Sequence, residues 1–596
     1  MADDQPHRDF RPDIEAFAEN ATRLLAEAGK AWTAWLAPRM EAEPELPDGA
    51  GDMVRTLGEV AARWVGDPVR LAEAQRRYGE DFVRLWGATL KRLAGEDAAP
   101  VAAPEPRDSR FRDPRWSEEP LFDFLKQLYL LTAGWAENLV AEAEGLDPHT
   151  RAKAAYYLKQ VSAALSPSNF VLTNPELLSL TLDAKGANLV RGMGRLAEDL
   201  AAGGGALRLR QTDAAPFRLG ETVATTPGKV VFRNELFELI QYAPATAKVR
   251  SRPVVIVPPW INKYYVLDLT PEKSFVRWMV EQELTVFVVS WVNPDAALAG
   301  KTFEDYMQSG VLAALDQALA ITRADKADLL GYCVGGTLVA ATLAYLAAAG
   351  GADRVGSATL MAAQVDFTEA GELAVFVDPE QLAALEERMA KAGYLAGTDM
   401  AATFNTLRPD ELIWPYVVSN YLKGETPRSF DLLFWNSDAT HLPAANHAFY
   451  LRNCYLENRL AKGEMEIGGV RLDVGKVKTP IYSLATREDH IAPAGSVFRG
   501  SALFGGPVRF VLGGSGHIVG VVNPPAKGKY QYWTGEAPKG ALEDWLAGAK
   551  ETAGSWWPDW RAWLDLQDRR RVKARRPGGR HPVLGDAPGD YVKVRV

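Results

Sequence analysis

A cysteine, an aspartate and a histidine stand, in that order, at the ends of three apolar runs in this chain. Cys333 lies in Gly331-Tyr332-Cys333-Val334-Gly335-Gly336, after Leu329-Leu330 and before an alanine-rich stretch from Leu338 to Ala349. Strand, sharp turn and helix, with the reactive side chain at the turn, is the layout of a nucleophile elbow. Small neighbours are needed because the nucleophile's backbone is strained and bulk beside it would clash. A thiol at a helix start feels the helix dipole, which favours the reactive thiolate. The same residues also read as an inert core cysteine or as a membrane span, because Leu329 to Ala352 carries no charge. Gly331, Gly335, Gly336 and Thr337 interrupt that run, and no basic flank orients it. A buried strand followed by a buried helix is therefore expected.

A nucleophile needs a base, and the base needs an orienting group. Asp489 follows the run Ile481-Tyr482-Ser483-Leu484-Ala485, and His517 follows Val508-Arg509-Phe510-Val511-Leu512 within Gly513-Gly514-Ser515-Gly516-His517. In open parallel sheets the reactive groups gather beyond the carboxyl ends of the strands. Nucleophile, acid, histidine is the chain order of the α/β-hydrolase fold. His517 is expected to take the proton from Cys333 or to polarise an incoming hydroxyl. Asp489 would orient His517 and stabilise its cation. A single structural hydrogen bond is the alternative role for His517. His490 adjoins Asp489, so the two side chains diverge, and His490 reads as a residue of the site wall. The Val334 N–H is the expected oxyanion donor. The second donor should come from the loop after Val254-Val255-Ile256-Val257, at Ile261 or its neighbour Trp260. Cysteine in place of serine favours acyl transfer over hydrolysis, since a thioester keeps its acyl group activated.

Short apolar runs alternating with helical segments such as Ser274 to Glu283 and Thr302 to Arg323 imply a parallel sheet covered on both faces. Lys229 to Phe232 and Phe237 to Tyr242 read as paired strands ahead of it. Residues 366–476 interrupt the alternation and are rich in aromatic side chains, as a lid over a site would be, although an extra subdomain fits too. Residues 1–110 read as a helical region, broken at Pro44 to Gly49 and ending in a flexible Ala/Pro link from Glu96 to Arg110. Residues 111–215 read as a second helical domain, and 216–596 as the catalytic domain. The basic run Arg569 to Arg576 opens a tail, residues 569–596, that reads as a solvated segment or an anion site.

The 596 residues exceed what one core supports. A net charge of −9 makes no global case for nucleic acid. Two cysteines, Cys333 and Cys454, form no disulfide framework and fit a reducing cytoplasm. The polar N-terminus has no signal-peptide apolar core. Seventeen tryptophans suit a large core or an interface.

These residues resemble class I polyhydroxyalkanoate synthases. The likeness rests on the cysteine box, on Arg487-Glu488-Asp489-His490, on Gly516-His517-Ile518-Val519-Gly520-Val521-Val522-Asn523-Pro524-Pro525 and on Phe434-Trp435-Asn436-Ser437-Asp438. Ser168-Asn169-Phe170 and Thr173-Asn174-Pro175-Glu176 add to it. It runs from about residue 115 to the C-terminus. The resemblance implies an α/β-hydrolase fold with a lid insertion behind a mostly helical N-terminal domain. It implies polymerisation of (R)-3-hydroxyacyl-CoA, short-chain 3-hydroxybutyryl-CoA above all, into polyester with release of CoA. Cys333 would be the nucleophile, His517 the base, and Asp489 the acid assisting the 3-hydroxyl. Trp260, Tyr332 and His490 are the expected substrate-contacting residues, and Trp435 matches a position tied to dimerisation. His441 departs from the asparagine expected there. The implied partners are the CoA thioester, the growing polyester, a second copy of the chain and granule-associated proteins. No cofactor, metal, nucleic acid or transmembrane segment is implied, and the place is the cytoplasm, at the granule surface. The competing readings are an acyl-CoA thioesterase or polyester depolymerase on the same fold, and a non-enzymatic polymer-surface protein.

Overall fold

The computed structural model describes residues 14–36 and 50–595. The polar N-terminus, His7 and the helix break expected at residues 44–49 lie outside the described residues. The chain forms two compact units, one of residues 1–213 with 405–428 and one of residues 214–404 with 429–596.

The first unit is helical. Its longer helices are α1 (Ile14–Leu36), α2 (Ala50–Val65), α3 (Pro68–Leu93), α4 (Pro120–Glu142), α5 (Pro148–Ala164), α6 (Pro175–Asp183) and α7 (Ala187–Ala202). Three of them start with the same device. Asp67, Asp147 and Asn174 each accept backbone N–H groups of the first turn, and a proline follows at the first helical position. Proline loses nothing there, because its missing N–H would have had no partner. Val60 and Trp64 of α2 pack with Ala74, Val140 and Ala154, while Ala31 of α1 packs with Ala197 and Leu200 of α7.

Two expectations change here. The stretch from Glu96 to Arg110 is not a free link: Gln127 Oε1 accepts from the backbone of Val101 and Ala102 at 2.6 and 3.1 Å, and Arg110 pairs with Asp108 and Asp410. The aromatic insertion is not one piece either, since residues 405–428 belong to the helical unit. Asn188 Nδ2 donates to the Leu422 carbonyl at 2.8 Å, and the Tyr421 hydroxyl donates to Asp199 at 2.7 Å. Gly192 lets that segment approach, for a Cβ there would stand 1.9 Å from the Tyr421 carbonyl oxygen.

The second unit is built on an eleven-stranded sheet. In chain order the strands are β1 (Gly228–Arg233), β2 (Phe237–Tyr242), β3 (Val254–Val257), β4 (Val286–Trp291), β5 (Ala327–Tyr332), β6 (Val355–Met361), β7 (Ile481–Thr486), β8 (Val508–Gly513), β9 (Gln531–Thr534), β10 (Lys550–Ala553) and β11 (Gly585–Asp586). Their spatial order is 10-9-8-7-6-5-3-4-2-1-11. The central strands from β8 to β4 pair in parallel, and the flanking pairs are antiparallel. This is the α/β-hydrolase fold. The chain leaves β3 for β4 on one side and returns to β5 on the other, so strand order reverses beside β3, where such sheets bind ligands. β3, β4, β5 and β7 are buried along their whole length, which explains their continuous rather than alternating apolar runs. Strand β6 does not stand out in the sequence because Gly356, Ser357 and Thr359 dilute it.

Helix α8 (Val334–Ala349) follows β5 and is buried over most of its surface. Leu338, Val339, Leu343 and Leu346 lie in one core layer, and burial of each stabilises the fold by about 1.5–3 kcal/mol. No helix among the described residues is long and apolar enough to cross a membrane. The charge-free run is β5 plus α8.

The basic run near the C-terminus is built into the fold. Residues Arg571 to Lys573 pair antiparallel with Lys248 to Arg250. Arg571 is bridged to Glu283 and Asp565, Arg570 to Asp568, and Arg575 donates to the Ser251 carbonyl. Asp565, Asp568 and the distant Glu283 pair with Arg570 and Arg571, while Arg569, Lys573 and Arg576 stay exposed, so the start of the tail is tied into the fold.

Candidate active site

Cys333 sits between the last residue of β5 and the first of α8, with φ 53° and ψ −130°. A non-glycine residue at positive φ is held there by its surroundings. Its N–H donates to the Met361 carbonyl at 2.9 Å, and its own carbonyl accepts from Gly336 at 2.8 Å. The glycines are required by contact. A Cβ on Gly335 would lie 2.3 Å from the Val257 carbonyl oxygen and 2.6 Å from that of Pro258, and one on Gly336 would lie 2.4 Å from the Ala363 Cβ. Glycine at 335 thus lets the segment after β3 cross directly over the first turn of α8. The Val334 N–H opens that helix, where the first amides lack intrahelical partners.

Asp489 and His517 are brought together by the ends of β7 and β8. His517 Nδ1 and Asp489 Oδ2 are 2.7 Å apart, and both residues are buried. The loops are tied to each other: Arg487 N–H donates to the Gly513 carbonyl and Glu488 N–H to that of Ser515. Asp489 is fully engaged. Its Oδ2 also accepts from Thr486 Oγ1 at 2.8 Å, and its Oδ1 accepts from the Ile491 and Ala492 amides at 2.9 and 2.8 Å. Burial pushes this carboxyl up, but His517 and these donors outweigh it and hold it below the usual carboxylate value. For His517, burial works against the cation; the Asp489 carboxylate, with Cys333 adding to it, raises it well above the ordinary histidine value. Imidazole and carboxylate form a direct pair, and Cys333 acts on the same imidazole from the end of β5.

Residues 107–279 match the family model for the N-terminus of poly-beta-hydroxybutyrate polymerase (PhaC), and residues 280–524 match that of the alpha/beta hydrolase fold. The chain is 56% identical over 586 residues to the poly(3-hydroxyalkanoate) polymerase subunit PhaC of Rhizobium meliloti (strain 1021), covering 98% of this chain and 96% of that one. It is 55% identical to the poly(3-hydroxyalkanoate) polymerase of Methylorubrum extorquens, over 98% of both. The subunit from Cupriavidus necator is 44% identical over 89% of both. The chain belongs to the poly(3-hydroxyalkanoate) polymerase family.

In this polymerase the loop after β3 is anchored from several sides. Trp291 Nε1 donates to the Pro258 carbonyl at 2.9 Å, and Thr440 Oγ1 reaches the carbonyls of Trp260 and Ile261 at 2.6 and 2.7 Å. Trp260 is buried among Phe303, Tyr306 and Tyr450. Its Nε1 finds no hydrogen-bond partner among the described residues. His490 is half-buried, and its carbonyl accepts from the Glu372 amide.

Two residues differ from expectation. Tyr332 is only 1% exposed; its hydroxyl donates to the His517 carbonyl at 3.0 Å, and its ring stacks on the imidazole at 5.5 Å. It lies beneath the site rather than lining it. Trp435 is 4% exposed, and its Nε1 donates to the Lys263 carbonyl at 2.7 Å. The side chain is therefore mostly core within its own chain. His441, in place of the expected asparagine, stacks on Tyr394 with centroids 4.1 Å apart and accepts the Gly397 N–H at Nδ1.

Sequence reasoning missed two site roles: Tyr450, the last residue of helix α9 (Ala444–Tyr450), and Tyr455, in the π-helical turn Leu451–Leu456 that continues it. Burial raises both phenols, and the Cys333 sulfur adds to the rise. Their only sequence signal was the general aromatic richness of the insertion. Cys454 is fully buried, and burial pushes its thiol up, so it reads as core. No cluster of three or more metal-ligating side chains occurs among the described residues.

Proposed function

We propose that this polymerase joins 3-hydroxyacyl groups from (R)-3-hydroxyacyl-CoA through a thioester on Cys333. The observation that carries the reading is the buried His517–Asp489 pair, 2.7 Å apart at the ends of β8 and β7, with Cys333 at the strained turn after β5 acting on the same imidazole. The Cys333 sulfur attacks the thioester carbonyl, and the oxyanion is met by the Val334 N–H and by that of Ile261. The bond to the CoA sulfur breaks, and that sulfur takes the proton held by His517. The 3-hydroxyl of the next acyl group then attacks the Cys333 thioester, forming the ester C–O bond and breaking C–S while His517 removes the hydroxyl proton. Asp489 orients and stabilises the His517 cation. Both its oxygens already carry two donors, which speaks for this role over direct contact with the substrate hydroxyl. The unpartnered indole N–H of Trp260 supports its role toward substrate. The remaining insertion, residues 366–404 and 429–476, acts as the lid.

The test is incubation with 3-hydroxybutyryl-CoA and its longer homologues, following CoA release and insoluble polymer. CoA and polymer together, both lost in Cys333→Ala, are expected. Free acid without polymer would instead establish the thioesterase or depolymerase reading. We further read the working form as a homodimer at the surface of cytoplasmic polyester granules, with granule-associated proteins as partners. Val83, Trp86, Leu90 and Leu93, exposed along α3 at helical spacing, support the surface location. Sedimentation with and without substrate, and fractionation of polymer-bearing cells, test both statements.

A further inference from the structure

We propose that Tyr332 is a positioning residue, fixing the His517 imidazole against the Cys333 sulfur through the hydrogen bond from its hydroxyl to the His517 carbonyl. The proposal rests on the Cys333–His517 reading above. Tyr332 closes β5 and precedes Cys333 directly, so its backbone is part of the nucleophile's own strand. Its hydroxyl lies 3.0 Å from the carbonyl oxygen of a residue 185 positions later. Its ring is offset-stacked on the imidazole, with planes 26° apart. Burial, then Cys333 and Asp489, hold the phenol far above its ordinary pKa, so it stays a donor across the working pH range.

The need for such a brace is visible in the loop it grips. Gly513, Gly514 and Gly516 precede His517, and Ser515 adopts φ 71°. A glycine-rich loop has wide conformational freedom. Asp489 holds the imidazole only at Nδ1, which leaves rotation about that contact unconstrained. Tyr332 adds a second point from a different strand, so the base is referred to β7 through Asp489 and to β5 through Tyr332. Sulfur and imidazole then share one frame.

The test uses the full chain with Tyr332→Phe, which keeps the stacked ring and removes only the hydroxyl. Two measurements are made: kcat and KM for CoA release from 3-hydroxybutyryl-CoA, and the pH profile of Cys333 alkylation by iodoacetamide without substrate. Loss of one buried hydrogen bond, with the carbonyl left unpaired, predicts about a tenfold fall in kcat with KM within about twofold, and a displaced alkylation profile. Unchanged kcat and profile would overturn the proposal. So would a raised KM with an unchanged profile, which would make Tyr332 a substrate contact. If the wild type releases no CoA, the acyl-transfer reading fails, while the alkylation profile still judges the brace. Should phenylalanine lower the folded yield, 3-fluorotyrosine at position 332 retains the shape and alters only the donor's acidity. Its more acidic hydroxyl still donates to the His517 carbonyl, so a kcat at or above the wild-type value and an undisplaced alkylation profile are expected, and a tenfold loss of kcat counts against the brace.

Discussion

Asp489→Asn removes one negative charge and almost no volume, so its effect reads the electrostatics of the site. In the native protein Asp489 Oδ2 lies 2.7 Å from His517 Nδ1, with both groups buried. Two unit charges at that separation, at an effective dielectric near 20, interact by about 6 kcal/mol. That corresponds to about four decades in rate if the imidazolium forms on the way to the transition state. The amide brings a second fault. If its nitrogen faces Nδ1 it donates there, driving the imidazole proton to Nε2 and blocking acceptance from the thiol. We expect CoA release to fall by about three to four decades with KM little changed. Single-turnover acylation of Cys333, quenched and followed by mass spectrometry, separates the chemical step from product release. The pH dependence has a defined sign. His517 is raised in the folded chain, so the pair's contribution to stability is full below the ordinary histidine value near 6.5 and fades as pH rises through the raised one. The stability gap between wild type and Asp489→Asn should therefore be wider at pH 6 than in strong alkali. A loss of less than tenfold would mean that the base is held and charged without its carboxylate.

Three further outcomes follow from the packing. His447 is fully buried with Nδ1 unpartnered, and burial lowers it to about 4; the unfolded chain takes a proton below about 6.5 that the folded one refuses, so stability falls by about 3 kcal/mol as pH drops from 6.5 to 4. His447→Gln should remove that slope in urea unfolding at several pH values. Asp268 is buried and raised by burial to about 6 despite its bonds to Ser274 and Thr226; it loses stability as pH rises between 3.8 and 6, so it partly masks the His447 slope, and Asp268→Asn should steepen the pH dependence of the wild type. Gly335→Ala places a methyl against two backbone carbonyls that cannot move aside, and should cost about 3 kcal/mol in denaturant titration or abolish activity by displacing the loop after β3.

The constellation was legible because each of its members follows a parallel strand that is wholly or mostly buried, and such strands write themselves as largely apolar runs followed by a turn. Cys333, Asp489 and His517 needed only that punctuation and their order. What escaped was decided by partners far away in the chain. Tyr332 meets His517 across 185 residues, and nothing local distinguishes a tyrosine that lines a pocket from one that braces a loop. Arg571 finds Glu283 across 288 residues, so a run that looks like a free tail in isolation starts tied to the fold. Trp435 carries the same signal whether its indole faces a second chain or the Lys263 carbonyl. β6 was hidden because small and hydroxylated residues fill a strand whose neighbours on both sides supply the bulk.

The helical unit recruits residues 405–428 from the middle of the other unit's sequence. During synthesis on the ribosome, helices α1 to α7 emerge long before the segment that completes their packing, and Gly192 waits for Tyr421 until some two hundred further residues have been translated. The nascent helices must keep that surface open, or shielded by another protein, for the whole interval. For the same reason no single cut yields two intact halves: a truncation near residue 213 leaves one product without its final segment and strands that segment in the other.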